Sequence, residues 1–184
     1  GNRLKDWSFV GNNEAEAAAG AAKFILSKGY QSLYFVFPGF EGEETDSFGG
    51  HWARMRGAQS VCESCGVEFL VIGDTDYIEQ AAKVVEKAKE EKIKPAFLCS
   101  GDIYAGYIIL NLQKKGFFPG VDFGIMGFDR LELMQMLPVS LASVENNVEQ
   151  IGQEAINQLL NMIDHGGRKR TVYVPYQIID GKTL

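Results

Sequence analysis

The polar and apolar positions of this chain form two kinds of segment that alternate along its length. Short, nearly continuous apolar runs rich in β-branched and aromatic residues predict strands that are buried on both faces. These runs are LYFVF (33–37), EFLVI (68–72), AFLC (96–99), FGIMGF (123–128), LASV (141–144) and TVYVPYQII (171–179). Longer segments with helical periodicity lie between them. The alternation predicts an α/β fold, with a parallel sheet covered by helices on both faces.

The helical segments are indicated by their periodicity and by their ends. NNEAEAAAGAAKFILSKG begins with asparagines that can cap a helix, places Glu14 and Glu16 in the first turn and stops at Gly29. Further helices are predicted over 51–65, 77–91, 102–115 and 147–164. In the last helix, the spacing predicts an inward-facing apolar side made of Val148, Ile151, Ala155, Ile156, Leu159, Leu160 and Ile163.

Two aspartates follow successive predicted strands. Asp102 comes shortly after AFLC, and Asp129 comes directly after FGIMGF. Because ligands of open α/β sheets bind beyond the carboxyl ends of the strands, both are candidate ligand contacts. Aspartate is also a good helix N-cap, so either side chain could cap the helix that follows it. The two roles are compatible.

Composition and charge narrow the possible functions. Of the 184 residues, 46% are hydrophobic and 23% are charged, which suits a folded core rather than a disordered chain. The net charge is −6 and the sequence pI is about 5.0. Gripping a nucleic-acid backbone requires a basic face, so these residues are not expected to do so. No run of 18 apolar residues occurs, and no membrane span is expected.

The three cysteines do not predict a metal site. Cys62 and Cys65 have the spacing of half a zinc site, but His51 and His165 are the only histidines that could complete it. The pair closes a predicted helix, whereas a thioredoxin-like motif opens one. We therefore expect ordinary thiols in a reducing compartment, with neither a metal nor a cofactor.

Recognisable catalytic motifs are also missing from the sequence. G-x-S-x-G does not occur, and no G-x-G-x-x-G follows a strand. GKT (181–183) is not a phosphate-binding loop, because Tyr176 stands where the first glycine would be. Paired acids can serve glycosidases, but acids at strand ends equally suit simple sugar binding. We therefore predict that the chain is not an enzyme.

Five segments of the chain occur in a telling order: GNNEAEAAAGAAKFILSKGYQSLYFV, RMRGAQ (54–59), AFLCSGDIYAGYIILNLQKKGFFPGVDFGIMGFD, LPVSLASVENNVEQIGQEAINQLLNMI and VPYQIIDGKTL. In this order and spacing they resemble the ligand-binding domain of the LacI/GalR family of bacterial regulators, a relative of the periplasmic sugar-binding proteins. The resemblance covers nearly all of the chain. One departure is Ala58, which replaces an aromatic residue.

The resemblance implies a type I periplasmic-binding-protein-like fold, in which two α/β lobes joined by three crossovers enclose the ligand. On this plan, residues 8–140 form the second, C-terminal lobe. Helix 147–164 would pack in the family on the first lobe, and residues 171–184 would be a return strand and tail. Because most of the first lobe lies outside these residues, we expect the helix to fold back onto the second lobe or to pair with another chain.

The resemblance also implies ligand contacts by position. Arg54 matches the family's ligand-gripping arginine, whose guanidinium suits paired hydroxyls or a carboxylate, with Arg56 as the alternative register. Asp129 matches an acid that can accept hydrogen bonds from adjacent hydroxyls. Asn146 falls at the position of a crossover glutamine. The plainer interpretations are a solvated arginine and two helix caps.

Three more positions complete the predicted site. Asp102 follows Gly101 in place of the commoner asparagine, which would leave room for a bulkier ligand. Thr75 replaces an aromatic that often stacks on sugar or base in the family, which argues against a purine. Trp52 could supply that platform instead, although core packing is its plainer role. The other candidate platforms are Phe40, Phe48 and Tyr77.

The segment PGFEGEETDSFGG (38–50) is longer than the corresponding family turn. Its acids predict a solvated acidic loop: Glu41, Glu43, Glu44 and Asp46.

The sequence thus predicts a cytoplasmic effector-sensing domain that binds a small sugar or polyol. It would modulate operator binding by a DNA-binding domain outside this chain, either N-terminal of LacI type or C-terminal of AraC type. A homodimer is expected, since the apolar segments 103–112 and 147–163 offer surface for self-association, and no membrane partner is expected. The alternative is a solute-binding protein of a sugar transport system with the same fold.

Overall fold

The computed structural model describes residues 7–39 and 49–184. Its elements, in chain order, are β1 (Phe9–Gly11), α1 (Glu14–Ser27), β2 (Ser32–Val36), α2 (Gly49–Cys65), β3 (Glu68–Ile72), α3 (Tyr77–Glu91), β4 (Pro95–Cys99), α4 (Asp102–Lys114), β5 (Gly124–Phe128), a 3₁₀ helix (Glu132–Met136), β6 (Ala142–Glu145), α5 (Val148–His165), β7 (Thr171–Tyr173) and β8 (Gln177–Ile179). The predicted acidic loop and the candidate platforms Phe40 and Phe48 fall mainly on 40–48, outside the described residues.

The main sheet has the strand order β3-β2-β4-β5-β6-β8. Strands β2 to β6 run parallel, and β8 pairs antiparallel with β6. The predicted α/β class with a parallel-dominated sheet is therefore confirmed. The chain direction across the sheet reverses between β2 and β4, which is the point where open α/β sheets open a crevice for ligands.

The central strands β2, β4 and β5 are covered on both faces, as their apolar runs require. The edge strand β3 is not buried as predicted, because it has a neighbour on one side only, and Leu70 and Val71 are exposed. One core cluster joins the sheet to α1 and α2, and a second joins it to α3 and α4. Along β4, Ala96 and Leu98 belong to the first cluster, while Phe97 and Cys99 belong to the second. This alternation follows from the two-residue period of a strand, and it fixes the register of the sheet.

The predicted strand 171–179 is in fact two strands in different sheets, so that prediction is corrected. β7 pairs parallel with β1 in a separate two-stranded sheet, whereas β8 joins the main sheet. The connecting residues 174–176 contain Pro175, which has no N–H to donate to a ladder. The link is nevertheless anchored, because the Val174 carbonyl accepts a 2.8 Å hydrogen bond from Asn12 Nδ2.

Helix α5 forms as predicted, but its apolar side is not buried. Val148, Ile156, Leu159, Leu160 and Ile163 are 50–73% exposed. The helix lies beside β1, where Gln158 Nε2 donates to Ser8 Oγ at 3.1 Å. It does not fold back onto the main sheet, whose faces pack against α1 and α2 on one side and α3 and α4 on the other. Pairing with another chain stays a prediction.

The GKT segment (181–183) has a structural role, because it packs against β5 and β6. Thr183 is fully buried, and its Oγ1 donates to the Ile125 carbonyl at 2.7 Å and accepts from the Ala142 N–H at 2.9 Å. A Cβ added at Gly181 would overlap the backbone of Ala142. These contacts tie the chain's last residues between β5 and β6.

Within the part of the chain that the structure describes, no helix is both long and apolar enough to cross a lipid bilayer. The same residues contain no group of three or more His, Cys, Asp or Glu side chains that could hold a metal ion. Cys62, Cys65 and Cys99 are free thiols. Burial raises the pKa of Cys62 to about 11 and the pKa of Cys99 well above its usual range.

Candidate functional site

The two strand-end aspartates have different environments. Asp102 is the first residue of α4 and only 1% exposed. Its Oδ1 accepts from Ser143 Oγ and its Oδ2 accepts from the Leu131 N–H, both at 2.7 Å. The side chain does not cap α4, whose N-cap residue is Gly101. Both carboxylate oxygens therefore hold the protein's own loop, which favours a positioning role for Asp102.

That loop carries Asp129 at a fixed place. The N–H of Asp129 donates to a β6 carbonyl at 2.9 Å, and the N–H of Arg130 donates to Ser143 Oγ at 3.2 Å. The next N–H, from Leu131, is the one that Asp102 accepts. Asp129 and Arg130 both have left-handed backbone, with φ of 92° and 47°. Non-glycine residues keep such angles only where their surroundings enforce them, as three consecutive hydrogen bonds do here.

The Gly-aromatic-acid motif at the end of β5 has a physical basis in this geometry. A Cβ on Gly127 would overlap Oδ1 of Asp102, so glycine is needed for the buried carboxylate to fit. Phe128 lies under the Arg54 guanidinium, with Cζ 4.2 Å from the ring centroid. Asp129 then emerges at the sheet's carboxyl edge. Each motif residue thus supports a different part of the same site.

Arg54 connects three elements at the point where the strand order reverses. Its Nε donates to Glu14 Oε2 and its Nη1 to the Ser100 carbonyl, both at 2.6 Å. Its Nη2 lies 3.4 Å from Asp129 Oδ1. The side chain is buried, and each of its three nitrogens already has a protein acceptor. The structure therefore places the predicted ligand clamp inside a network that orients Asp129.

The Arg-x-x-Gly spacing explains how Arg54 reaches this position. Helices α1 and α2 pack closely along their length. A Cβ on Gly57 would overlap the backbone carbonyl of Ala15, so glycine allows the two helices to meet at this point. Glu14 begins α1 one residue earlier, and Arg54 begins the turn of α2 that faces it. Close packing at Gly57 thus brings the ion pair within 2.6 Å.

Asn146 completes the support of Asp129. Its Nδ2 donates to Asp129 Oδ1 at 2.6 Å, and its own Oδ1 has no hydrogen-bond partner among the described residues. Because an ionised carboxylate can only accept, the amide nitrogen must face Asp129. Asp129 Oδ1 thus has two donors, while Oδ2 has none in the described structure and the side chain is 39% exposed.

A cavity of about 570 Å³ opens at this edge of the sheet. It is lined by the 129–132 loop, the 3₁₀ helix, the ends of β6 and β8 and the start of α5: Asp102, Asp129, Arg130, Leu131, Glu132, Met134, Gln135, Ser140, Leu141, Ser143, Glu145, Asn146, Asn147, Val148, Ile179 and Asp180. Of the six predicted site residues, Asp102, Asp129 and Asn146 are among them. The cavity is thus bounded mainly by β6, β8 and their neighbours.

The other three predicted residues do not line this cavity. Arg54 reaches its edge through Asp129. Trp52 is half-buried and packs against the core cluster of α1 and α2. Thr75 lies exposed in the turn before α3. The structure therefore gathers Arg54, Asp129 and Asn146 into one contact network and leaves Trp52 and Thr75 outside it.

His51 and Glu14 were missed by the sequence reasoning. His51 stacks on Phe37 with ring centroids 4.3 Å apart, and its buried Nδ1 has no partner among the described residues. Burial, and then the Arg54 charge, lower the pKa of His51, which favours the neutral ring. His51 lies three residues before Arg54 on α2, and this helical spacing could have predicted that the two side chains are neighbours. Nothing local marks Glu14, because its role depends on α1–α2 packing.

Burial also changes the acidity of Asp102. Loss of hydration raises the pKa of this carboxyl to about 6, although the hydrogen bonds from Ser143 and Leu131 oppose the shift. The nearby charge of Asp129 raises it further. Asp102 therefore exchanges a proton nearer to neutral pH than an ordinary aspartate does.

A parallel sheet with an oriented acid, an amide and a cavity at its carboxyl edge is the arrangement in which open α/β domains bind ligands. The chain belongs to the periplasmic binding protein-like domain family, whose model matches residues 22–184. The predicted resemblance to LacI/GalR regulators is confirmed by the relatives that it matches.

Two of these relatives are named regulators. The chain is 23% identical over 180 residues to the NTD biosynthesis operon regulator NtdR of Bacillus subtilis, covering 95% of this chain and 53% of that protein. It is 24% identical over 169 residues to the HTH-type transcriptional repressor PurR of Pectobacterium atrosepticum, covering 87% of this chain and 49% of that protein. The chain thus spans about half the length of the curated relatives it matches.

Solved structures share the fold. A LacI family transcriptional regulator from Enterococcus faecium with bound ribose superposes with a TM-score of 0.75 at 15% identity, covering 94% of this chain and 63% of that one. A periplasmic binding ribose operon repressor protein from Lactobacillus acidophilus has a TM-score of 0.78 at 16% identity, covering 96% of this chain and 64% of that one. A periplasmic binding protein/LacI transcriptional regulator from Alkaliphilus metalliredigens complexed with D-xylulofuranose has a TM-score of 0.76 at 17% identity, covering 94% of this chain and 64% of that one.

Proposed function

We propose that this chain is part of the effector-sensing domain of a bacterial transcriptional regulator and binds a small sugar or polyol beside Asp129. One observation carries the proposal: Asp129 Oδ1 is fixed by Arg54 and Asn146, while Oδ2 is left without a partner among the described residues. A carboxylate oriented in this way can accept hydrogen bonds from hydroxyl groups. Its place beyond β5 is where ligands of such sheets bind.

The neighbouring groups suit hydroxyl recognition. Asn146 Oδ1 is a second acceptor without a partner in the described structure, and it belongs to the same side chain that orients Asp129. Buried polar atoms of this kind are normally satisfied, so a vacant acceptor at a cavity favours a donor from outside the protein. A polyol supplies several donors at short spacing. Arg54 acts in this proposal mainly as a positioning residue for the carboxylate.

The relatives support regulation over transport. The curated proteins that the chain matches are a regulator and repressors, and structures with the same fold hold ribose and D-xylulofuranose. Regulators act in the cytoplasm on operator DNA, and we place this protein there. A transport protein of this fold is the alternative, but no observation on the described residues favours it.

Signalling requires the effector to distinguish two conformations. Effector bound beside Asp129 would stabilise one lobe arrangement over another only if its affinity for the two differs. Operator DNA would be contacted by a DNA-binding domain outside these 184 residues, of LacI or AraC type. Binding in the proposed cleft leaves the chemistry of the ligand unchanged, so no catalytic group or cofactor is assigned.

We further propose a homodimer that forms through α4. Ile103, Tyr107 and Leu110 are spaced by four and three residues, and all three are exposed. Two exposed residues of the adjacent 3₁₀ helix, Leu133 and Met136, extend this apolar surface. An exposed stripe of this kind favours association with a like surface.

The test is thermal unfolding of the full-length protein against pentoses, hexoses and polyols, with Asp129→Asn alongside. A ligand at 100 times its Kd adds about 2.7 kcal/mol to the free energy of unfolding, which moves the midpoint by several degrees. We expect one sugar or polyol to produce such a shift, and we expect the shift to be lost in Asp129→Asn. A shift that persists in the variant would place the site elsewhere.

A further inference from the structure

We infer that the effector carries a positively charged amino group, so that an aminated sugar or polyol binds in preference to its neutral or acidic counterpart. This rests on the proposed binding of a polyol beside Asp129. It is carried by the charge of the cavity together with a vacant buried acceptor.

Carboxyl groups dominate the cavity wall. Its ionisable lining residues are Asp102, Asp129, Glu132, Glu145, Asp180 and Arg130. Two carboxylates have fixed partners: Glu145 pairs with Arg130 at 2.6 Å, and Asp180 pairs with Lys28 at 2.7 Å. Arg130 is thus the one cationic group among the described lining residues, and its charge is already matched.

Arg54 does not supply the missing positive charge. Its Nε binds Glu14 at 2.6 Å, and its Nη2 lies 3.4 Å from Asp129. One guanidinium therefore stands against two carboxylates, which leaves a net negative charge at this edge. Glu132 adds to it, because it is exposed on the cavity wall and has no ion-pair partner in the described structure.

The vacant acceptor is independent of this charge count. Asn146 is 9% exposed and lines the cavity, and its Oδ1 is buried without a partner among the described residues. The carboxylate of Asp129 fixes the orientation of the amide, since only Nδ2 can donate to it. The atom left over is an acceptor, so its ligand must be a donor.

An ammonium group matches both features. It offers three donors and no acceptor, and it carries the charge that the cavity lacks. Asp129 Oδ2 and Asn146 Oδ1 would both accept from it. A sugar acid or a phosphate would bring further negative charge to an acidic wall and would be repelled, while a neutral sugar would gain hydrogen bonds without the ionic attraction.

The experiment compares matched ligands on the full-length protein by isothermal titration. The probes are hexoses and pentoses with their amino, N-acetylamino and aldonic acid derivatives, in each available configuration. We expect an amino derivative to bind at least tenfold more tightly than its neutral parent. N-acetylation, which removes the charge, is expected to abolish the gain, and the aldonic acid is expected not to bind.

Variants separate charge from folding. Asp129→Asn should weaken the binding of both probes, and it should weaken the binding of the amino derivative at least tenfold more than that of the parent sugar. Glu132→Gln, at an exposed position, should lower the affinity for the amino derivative about threefold. The matched change Glu86→Gln on α3 should leave that affinity unchanged. Equal or tighter binding of the neutral or acidic probe would overturn the inference and leave the sensor proposal intact. No binding by any probe would overturn both.

Discussion

Oδ2 of Asp102 accepts a hydrogen bond from the backbone N–H of Leu131 at 2.7 Å, which links the start of α4 to the loop that carries Asp129. Asp102 is thus buried, and its hydrogen bond helps to hold the loop on which Asp129 is partly exposed. The loop has two non-glycine residues with left-handed φ, and it depends on such contacts to keep its shape. Its stability should consequently respond to changes at Asp102.

Asp102→Asn should change how stability depends on pH. The pKa of Asp102 is about 6 in the folded protein and 3.8 in the unfolded chain. Between about pH 4 and pH 6, the folded protein keeps a proton that the unfolded chain has released, so this group's contribution to stability falls as pH rises. The full change is at most about 3 kcal/mol.

Urea unfolding of both proteins from pH 4 to pH 7 measures this effect. The stability of the wild type relative to Asp102→Asn should decline from about pH 4 to about pH 6 and level off towards pH 7. A constant difference would show that Asp102 titrates as an ordinary aspartate.

Arg54→Ala should destabilise the protein by about 2–3 kcal/mol, since it leaves Glu14 and Asp129 without their shared cation. Arg54→Lys should recover only part of this loss, because one ammonium nitrogen cannot reach three acceptors that are held in a fork. Chemical denaturation measures both. Lys87→Ala is the matched control: its exposed pair with Glu91 should be worth no more than about 0.5 kcal/mol. Equal losses at Arg54 and Lys87 would contradict the network.

Two helical glycines give a matched pair of substitutions. Gly57→Ala should cost about 2–3 kcal/mol, because the new methyl group would overlap the Ala15 backbone and force α1 and α2 apart. Gly152→Ala in α5 meets nothing within 4 Å and should add about 0.5–1 kcal/mol through helix propensity. Thermal unfolding of both variants would decide the matter, and a neutral Gly57→Ala would show that the helices are free to separate.

Much of the fold could be predicted because it is encoded locally. Short, nearly continuous apolar runs predicted the strands of the main sheet, and helical periodicity predicted the helices. The division of 171–179 was not visible, because β7 and β8 have partners that are far away in sequence. The exposure of α5 could not be predicted either: amphipathic spacing shows that a helix has an apolar side, but not what covers it.

The sequence predicted those features of the site that depend only on where a residue stands relative to the end of a strand. The strand ends predicted Asp102 and Asp129 at one edge of the sheet, and the family resemblance added Asn146, which donates to Asp129 there. That these residues bind a ligand stays a prediction. Which aspartate is buried depends on Ser143, 41 residues from Asp102, and no local signal reports such a contact. The role of Arg54 likewise depends on Glu14, 40 residues away. Long-range polar contacts therefore decided what the sequence left open.

The exposed apolar sides of α4 and α5 make competing predictions about self-association. We expect the α4 surface to form the dimer, because Leu133 and Met136 of the 3₁₀ helix extend it beyond one helix. Leu110→Glu should therefore convert the 184-residue chain to a monomer in sedimentation velocity, whereas Leu159→Glu on α5 should leave the dimer intact. Both side chains are exposed, so neither change should alter the thermal midpoint of the folded chain by more than the loss of association itself. Dissociation by Leu159→Glu alone would assign the interface to α5 instead.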